Sequence, residues 1–362
     1  MIPIRATALA LCIFCLSVPA WGDVRTVSNA MSPTGLGVSS TGKFTIAGTE
    51  TFLLGVSYFD ALDYHTNDID ALSTLGFNNL RIFTDWANDD GTPGDQTVCN
   101  ANGSIKSTEA TTINTLIDYA ETKNMTVTVV VLNEASDSWM TTEGARLACV
   151  TSTVNAFKAQ RLVLFDVVQE HDYSFTEAGD HMTPDEVKRY NDQARAACST
   201  CIIYSSLGSP MSHPSDSSAT IVASIIGRKV KNGENVIAIH DFRSANWWSI
   251  TGSRVAAYRA CLTSIGHQNI PIIFDEPNRH GFTHAATVAQ FNQAASDAKA
   301  AGAAMWVFHT GASFDMSTSS LFSQRNVTEK AITRSMAAAG REGHGEGRGG
   351  ERGGGGNNKK KK

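Results

Sequence analysis

Short apolar stretches, rich in β-branched residues, recur along the chain at residues 52–58, 79–83, 126–132, 162–168, 201–204, 236–239, 270–274 and 304–308. They are apolar on consecutive rather than alternate positions, which predicts strands buried on both faces, as in a parallel sheet covered by helices. Between them apolar residues fall at helical spacing: Ile113, Leu116, Ile117 and Ala120, then Leu147, Val150, Val154 and Phe157, later Val288, Phe291, Ala295 and Ala298. The segment from Thr183 carries a full helix-start signal, with Thr183 as N-cap, Pro184 at the first helical position and Glu186 three residues after the cap.

Eight such strand–helix repeats over residues 52–338 predict an α/β fold, a (β/α)8 TIM barrel. An open doubly wound sheet would more often show a glycine-rich phosphate turn after its first strand, and residues 55–62 carry none. Ahead of the barrel, within residues 23–51, residues 43–47 are expected to pair with the start of the 51–58 stretch in a short N-terminal β-hairpin around Gly48-Thr49-Glu50. Residues 1–22 read as a signal peptide, with Arg5, an apolar run and Ala20-Trp21-Gly22 before Asp23. Residues 339–362 turn to glycine and charge, ending Lys359 to Lys362, and predict a disordered tail.

Composition narrows the class. With 362 residues, 42% of them hydrophobic and 18% charged, the chain can bury a large core. A net charge of −5 with no Lys/Arg stripe argues against a nucleic-acid partner, and a neutral ligand is the easier fit. After leader removal no stretch reaches the ~20 apolar residues that span a bilayer, so a secreted, monomeric protein off the membrane is expected. The leader also takes Cys12 and Cys15, leaving Cys99, Cys149, Cys198, Cys201 and Cys261. Two bridges and one free thiol are expected, with Cys99–Cys149 preferred because both fall near loops of neighbouring βα units. Cys198-x-x-Cys201 lacks the second ligand pair of a structural zinc site. Neither a metal nor a cofactor is expected.

Active sites of such barrels lie at the C-terminal strand ends. The residues there include Arg81, Asp85 and Trp86, then Trp139, then Gln169, Glu170 and His171, then His240, Trp247 and Trp248, then Asp275 and Glu276, then Trp306 and His309. All five tryptophans of the mature chain fall in this set. Flat aromatic faces at a barrel mouth suit the apolar faces of sugar rings, so Trp86, Trp247 and Trp306 are expected to contact a carbohydrate. Glu170 and Glu276, each close behind an apolar strand, supply the two carboxyl groups that glycoside cleavage needs on either side of the scissile bond.

These stretches resemble glycoside hydrolase clan A, the (β/α)8 group that includes the cellulase-like and mannanase-like family five. Phe165-Asp166-Val167-Val168-Gln169-Glu170 is similar to the clan's strand-four pattern Trp-Glu-x-x-Asn-Glu. Pro271-Ile272-Ile273-Phe274-Asp275-Glu276 is similar to its nucleophile strand, Leu80-Arg81-Ile82-Phe83 to its arginine stretch, His240-Asp241-Phe242 to its His-x-Tyr, and Trp306 to its strand-eight aromatic platform. The resemblance implies a retaining glycosidase with Glu276 as nucleophile, Glu170 as acid/base, and Arg81, Gln169 and His240 around them. Gln169 stands where the clan has Asn, and Phe242 where it commonly has Tyr. Two other readings stay open: a non-catalytic carbohydrate-binding barrel, and a metal-dependent barrel hydrolase using His171, His240, His309 and Asp275.

Overall fold

Three short strands, β1 (Leu36–Val38), β2 (Phe44–Ile46) and β3 (Thr49–Thr51), precede the eight barrel strands. These are β4 (Leu53–Asp60), β5 (Asn79–Phe83), β6 (Thr126–Leu132), β7 (Val163–Val168), β8 (Ile202–Tyr204), β9 (Ile237–His240), β10 (Ile272–Glu276) and β11 (Met305–Phe308). The computed structural model describes residues 35–86, 97–133, 136–171, 182–208, 226, 229, 234–240, 245–279 and 286–341. The leader, Phe242 and the tail beyond residue 341 lie outside them.

All neighbouring barrel strands are parallel, in chain order, with β4 between β5 and β11. Leu207, just past β8, closes the ring: its N–H donates to Ala238 O at 3.3 Å and its carbonyl accepts from His240 N–H at 3.1 Å. The expected (β/α)8 barrel is thus the fold. Helices follow the strands, among them Thr66–Leu75, Ser107–Thr122, Glu143–Phe157, Pro184–Ala197, Trp247–Ser264, Val288–Ala301 and Val327–Arg341. The start signal at Thr183 acts as predicted: Thr183 Oγ1 accepts from Glu186 N–H at 3.3 Å, and Glu186 Oε2 accepts from Thr183 N–H at 2.6 Å. Thr287 and Gln290 repeat this reciprocal cap on the helix Val288–Ala301.

Alternation along each strand sorts one apolar run into two layers. Leu164, Tyr204, Ala238, Ile273, Met305 and Val307 meet inside the barrel. Phe165, Val167, Ile272, Phe274, Trp306 and Phe308 face the helices. The hairpin differs from its sequence reading. Thr49–Thr51 is a strand of its own, and the turn is the two-residue Ala47-Gly48 with φ of 49° and 80°. Positive φ at both positions gives the twist that a two-residue hairpin needs, which Gly48 accepts without strain. With β1, too short to show a periodicity, β2 and β3 make an antiparallel sheet whose Leu36 and Phe44 pack on Leu53, Leu162, Ile202, Val236 and Ala304 at the strand starts. The sheet plugs the N-terminal mouth and leaves chemistry to the other end.

Cys99 and Cys149 are joined, tying the segment after β5 to the helix Glu143–Phe157. Cys198 and Cys201 are joined to each other and offer no thiolates to a metal. The expected free thiol is not found among these five: Cys261 is buried and disulfide-bonded. Replacing Cys99 and Cys149 together by Ala should cost about 2–4 kcal/mol, as removal of a link across 50 residues of chain entails. Urea unfolding checks this; an unchanged midpoint would show the link to be dispensable.

Candidate active site

Glu170 lies two residues beyond β7 with φ of 48°, a conformation unusual for a residue with a Cβ. This turn takes the chain out of the strand direction and brings the side chain to His240 at the end of β9. Its N–H donates to Ser206 Oγ at 3.4 Å, and Ser206 is itself fixed by Asp166, donating N–H at 2.9 Å and O–H at 2.8 Å to the two carboxylate oxygens. Glu276 ends β10. Strict alternation would send Ile272, Phe274 and Glu276 to one outward face. Instead the register slips: Phe274 opposes Ile239 while Glu276 opposes His240. The extra residue resets the phase, as a β-bulge does, and lets both Asp275 and Glu276 reach the interior.

Arg81, fully buried on β5, stands between these carboxylates. It donates to Glu276 Oε1 at 2.5 Å and to Asp166 Oδ2 at 3.2 Å, and its Nε lies 3.8 Å from Asp275 Oδ2. Burial opposes its charge, yet Glu276, Asp275 and Asp166 hold its proton more firmly than in water. Gln169 Nε2 donates to the same Glu276 Oε1 at 3.0 Å. His240 Nδ1 lies 2.7 Å from Glu170 Oε1 and 3.6 Å from Glu276 Oε2, and its Nε2 lies 3.4 Å from Asp275 Oδ1. Burial would favour the neutral ring, but Glu276, Glu170 and Asp275 together raise it to about 9, so it is an imidazolium at neutral pH. Burial pushes Asp275 up to about 6 against the pull of Arg81 and His240. One ligand-type atom each from Glu170, His240 and Glu276 lies within 4.8 Å of the others.

Five of the sequence-predicted residues, Glu170, Glu276, Arg81, Gln169 and His240, therefore converge. Trp86 is half-buried against Phe59, Phe83 and Phe314 at ring distances of 4.5, 5.5 and 5.1 Å, its indole N–H given to Phe314 O at 2.9 Å, and Phe59 in turn meets His309 edge-on at 5.4 Å. Trp306 and Trp247 do not reach the mouth. Trp306 sits within β11, is fully buried, and meets Phe291 edge-on at 6.3 Å. Trp247 opens the helix Trp247–Ser264 and packs on the same Phe291 at 5.2 Å. Both fill the layer between strands and helices, because alternation turns Trp306 outward together with Phe308. At the end of the eighth barrel strand stands His309 instead, its Nδ1 3.2 Å from Ser57 Oγ and 4.0 Å from Glu276 Oε2.

Phe59 and Phe314 escaped the sequence reading. Phe59 follows Leu53 and Ser57 on the inward face of β4, and Phe314 belongs to a loop without periodicity. The proposed metal set is not assembled either. Among the described residues the group close enough to share an ion is Glu170, His240 and Glu276, which has only His240 in common with that set.

Solved structures share this architecture. The β-mannanase of the blue mussel Mytilus edulis superposes with a TM-score of 0.55 over 86% of this chain and 97% of its own, at 14% identity. The β-1,4-D-mannanase of Cryptopygus antarcticus gives 0.53 over 84% and 94%, at 13% identity. The glycoside hydrolase family 5 mannosidase of Rhizomucor miehei gives 0.55 over 76% and 86%, at 10% identity. The fold is that of the family 5 glycoside hydrolases. No protein-family model and no curated protein matches the sequence.

In this family 5 fold Trp306 is a core residue. Trp306→Ala should destabilise by about 3–5 kcal/mol, the range for emptying a buried aromatic site. Denaturant unfolding reads this directly. Full stability with weakened saccharide binding would restore Trp306 to the mouth.

Proposed function

We propose that the chain is a secreted glycoside hydrolase that cleaves β-glycosidic bonds of a poly- or oligosaccharide with retention of configuration. Residues 52–338 are its catalytic barrel, residues 1–22 a cleaved leader, and residues 339–362 a tail. One observation carries the reading: one carboxylate oxygen each of Glu170, just past β7, and Glu276, at the end of β10, lie within 4.8 Å of one another, with Arg81 bonded to Glu276. Retaining glycosidases hold their carboxyl groups about 5–5.5 Å apart, whereas inverting ones leave about 6.5–9.5 Å for a water. Among the described residues no helix is long and apolar enough to cross a membrane.

Glu276 acts as nucleophile. Arg81 and Gln169 both donate to its Oε1, which favours the ionised form and leaves attack on the anomeric carbon to Oε2. Glu170 gives its proton to the leaving oxygen, then takes one from the water that releases the sugar. Trp86 offers an aromatic face beside this pair, with its N–H already satisfied by Phe314 O. Two mannanases and a mannosidase among the similar structures make β-mannans the first substrates to assay, with β-glucans and xylans beside them.

Reducing-sugar release from that panel tests the reading. Glu276→Gln conserves volume and should abolish turnover while leaving fold and ligand binding intact; activity above a few per cent would exclude Glu276 as nucleophile. Glu170→Ala should harm substrates with poor leaving groups most and regain rate with azide, and equal loss on activated aryl glycosides would exclude it as acid/base. Gln169→Asn shortens the stem that reaches Glu276 Oε1. It should lower kcat/KM, by up to about 100-fold if the amide withdraws by ~1 Å. A clear gain in turnover would instead show that Gln169 impairs the site.

A further inference from the structure

Asp275 is a buried carboxylate that the double displacement does not use. It is wholly shielded from water, and neither of its oxygens has a hydrogen-bond partner among the described residues. An unbonded carboxylate in a protein interior is costly, so its retention beside the nucleophile calls for a reason. Alternation along β10 turns it inward with Ile273, where its Oδ1 lies 3.4 Å from His240 Nε2. The opposite nitrogen, Nδ1, lies 2.7 Å from Glu170 Oε1. Asp275, His240 and Glu170 therefore stand in line, carboxylate to imidazole to carboxylate.

Resting on the glycosidase reading, we infer that Asp275 is a positioning residue that keeps His240 charged and thereby sets where the proton of the Glu170–His240 pair resides. The pair can hold one proton as Glu170 carboxylate with imidazolium, or as Glu170 carboxylic acid with neutral imidazole. A negative Asp275 behind the ring favours the first form at rest and retains the proton in the pair as pH rises. When Glu170 protonates a leaving oxygen, the proton leaves the pair. It returns when Glu170 accepts a proton from the attacking water, so the cycle balances without another donor.

The groups facing the line make Asp275 the member able to do this. Arg81 on β5 faces Asp275, Glu276 and Asp166, while Asp166 on β7 and Tyr204 on β8 also border Asp275. His309 on β11 faces Glu276 at 4.0 Å. Glu170 and Glu276 must change charge or bonding during the reaction, and Asp166 already takes an Arg81 N–H and both Ser206 donors. Asp275 is the carboxylate beside His240 that no reaction step alters.

The test combines ¹⁵N NMR of His240, assigned by comparison with His240→Gln, with pH profiles of wild type and Asp275→Asn. In wild type His240 should remain an imidazolium above neutral pH. Asp275→Asn keeps the volume but removes the charge, so His240 should lose its proton at a pH lower by about one unit or more, roughly tenfold in proton affinity. The alkaline limb of kcat/KM should move down by the same amount, and activated aryl glycosides, which need no acid in the first step, should lose less. A neutral His240 in wild type at pH 7, or a limb that stays in place while His240 shifts, would overturn the proposal. The wild-type spectrum needs neither a folded variant nor turnover. Missing glycosidase activity would sink the function while the spectrum still decides the charge on His240.

Discussion

A guanidinium with no access to water stands in the upper part of this barrel, and three carboxylates from two other strands are arranged around it. Arg81 reaches from β5 to Asp166 on β7 and to Asp275 and Glu276 on β10, joining strands that are not neighbours in the sheet. Buried charge is tolerable only when paired and hydrogen-bonded; losing one partner commonly costs about 3–5 kcal/mol because the other is left bare. Arg81 is therefore a condition for the site as well as a part of it. With Glu170 added, four carboxylates crowd one permanent cation, and His240 takes up a proton to lessen the imbalance. The charge on one ring follows from the number of acids folded around it.

The division of the interior explains why these charges can exist. Below them Leu164, Ile273, Met305 and Val307 fill the barrel, and the β1–β3 sheet seals the N-terminal mouth with Leu36 and Phe44. This apolar floor supplies burial energy and keeps water out from beneath. Above it both glutamates sit at departures from regular geometry: the left-handed Glu170 and the bulge before Glu276. Strained or irregular backbone persists where the surroundings enforce it, and here Ser206, Asp166 and Arg81 do so.

Much of this was legible in the sequence because it depends on local pattern. Consecutive apolar residues marked the strands, helical spacing marked the helices, and the polar residues after strands four and seven gave Glu170 and Glu276. Facing was not legible. Trp306 looked like a mouth residue because it is an aromatic near a strand end, but two more strand positions follow it and alternation turns it outward. Asp275 and Phe59 share the inward phase of Ile273 and Leu53, and strands apolar on consecutive positions do not show which phase points inward. Thr49 and Glu50 read as a turn and Thr51 as the lead into the barrel, because nothing in three polar residues announces an antiparallel partner.

The stereochemistry of the product tests the site's geometry most directly. Proton NMR during cleavage of a β-linked oligosaccharide distinguishes the anomer formed first from the one produced later by mutarotation. With Glu170 and Glu276 within 4.8 Å, the β-anomer should appear first. Initial release of the α-anomer would mean that a water attacks directly between the carboxylates, and Glu276 could not be the nucleophile.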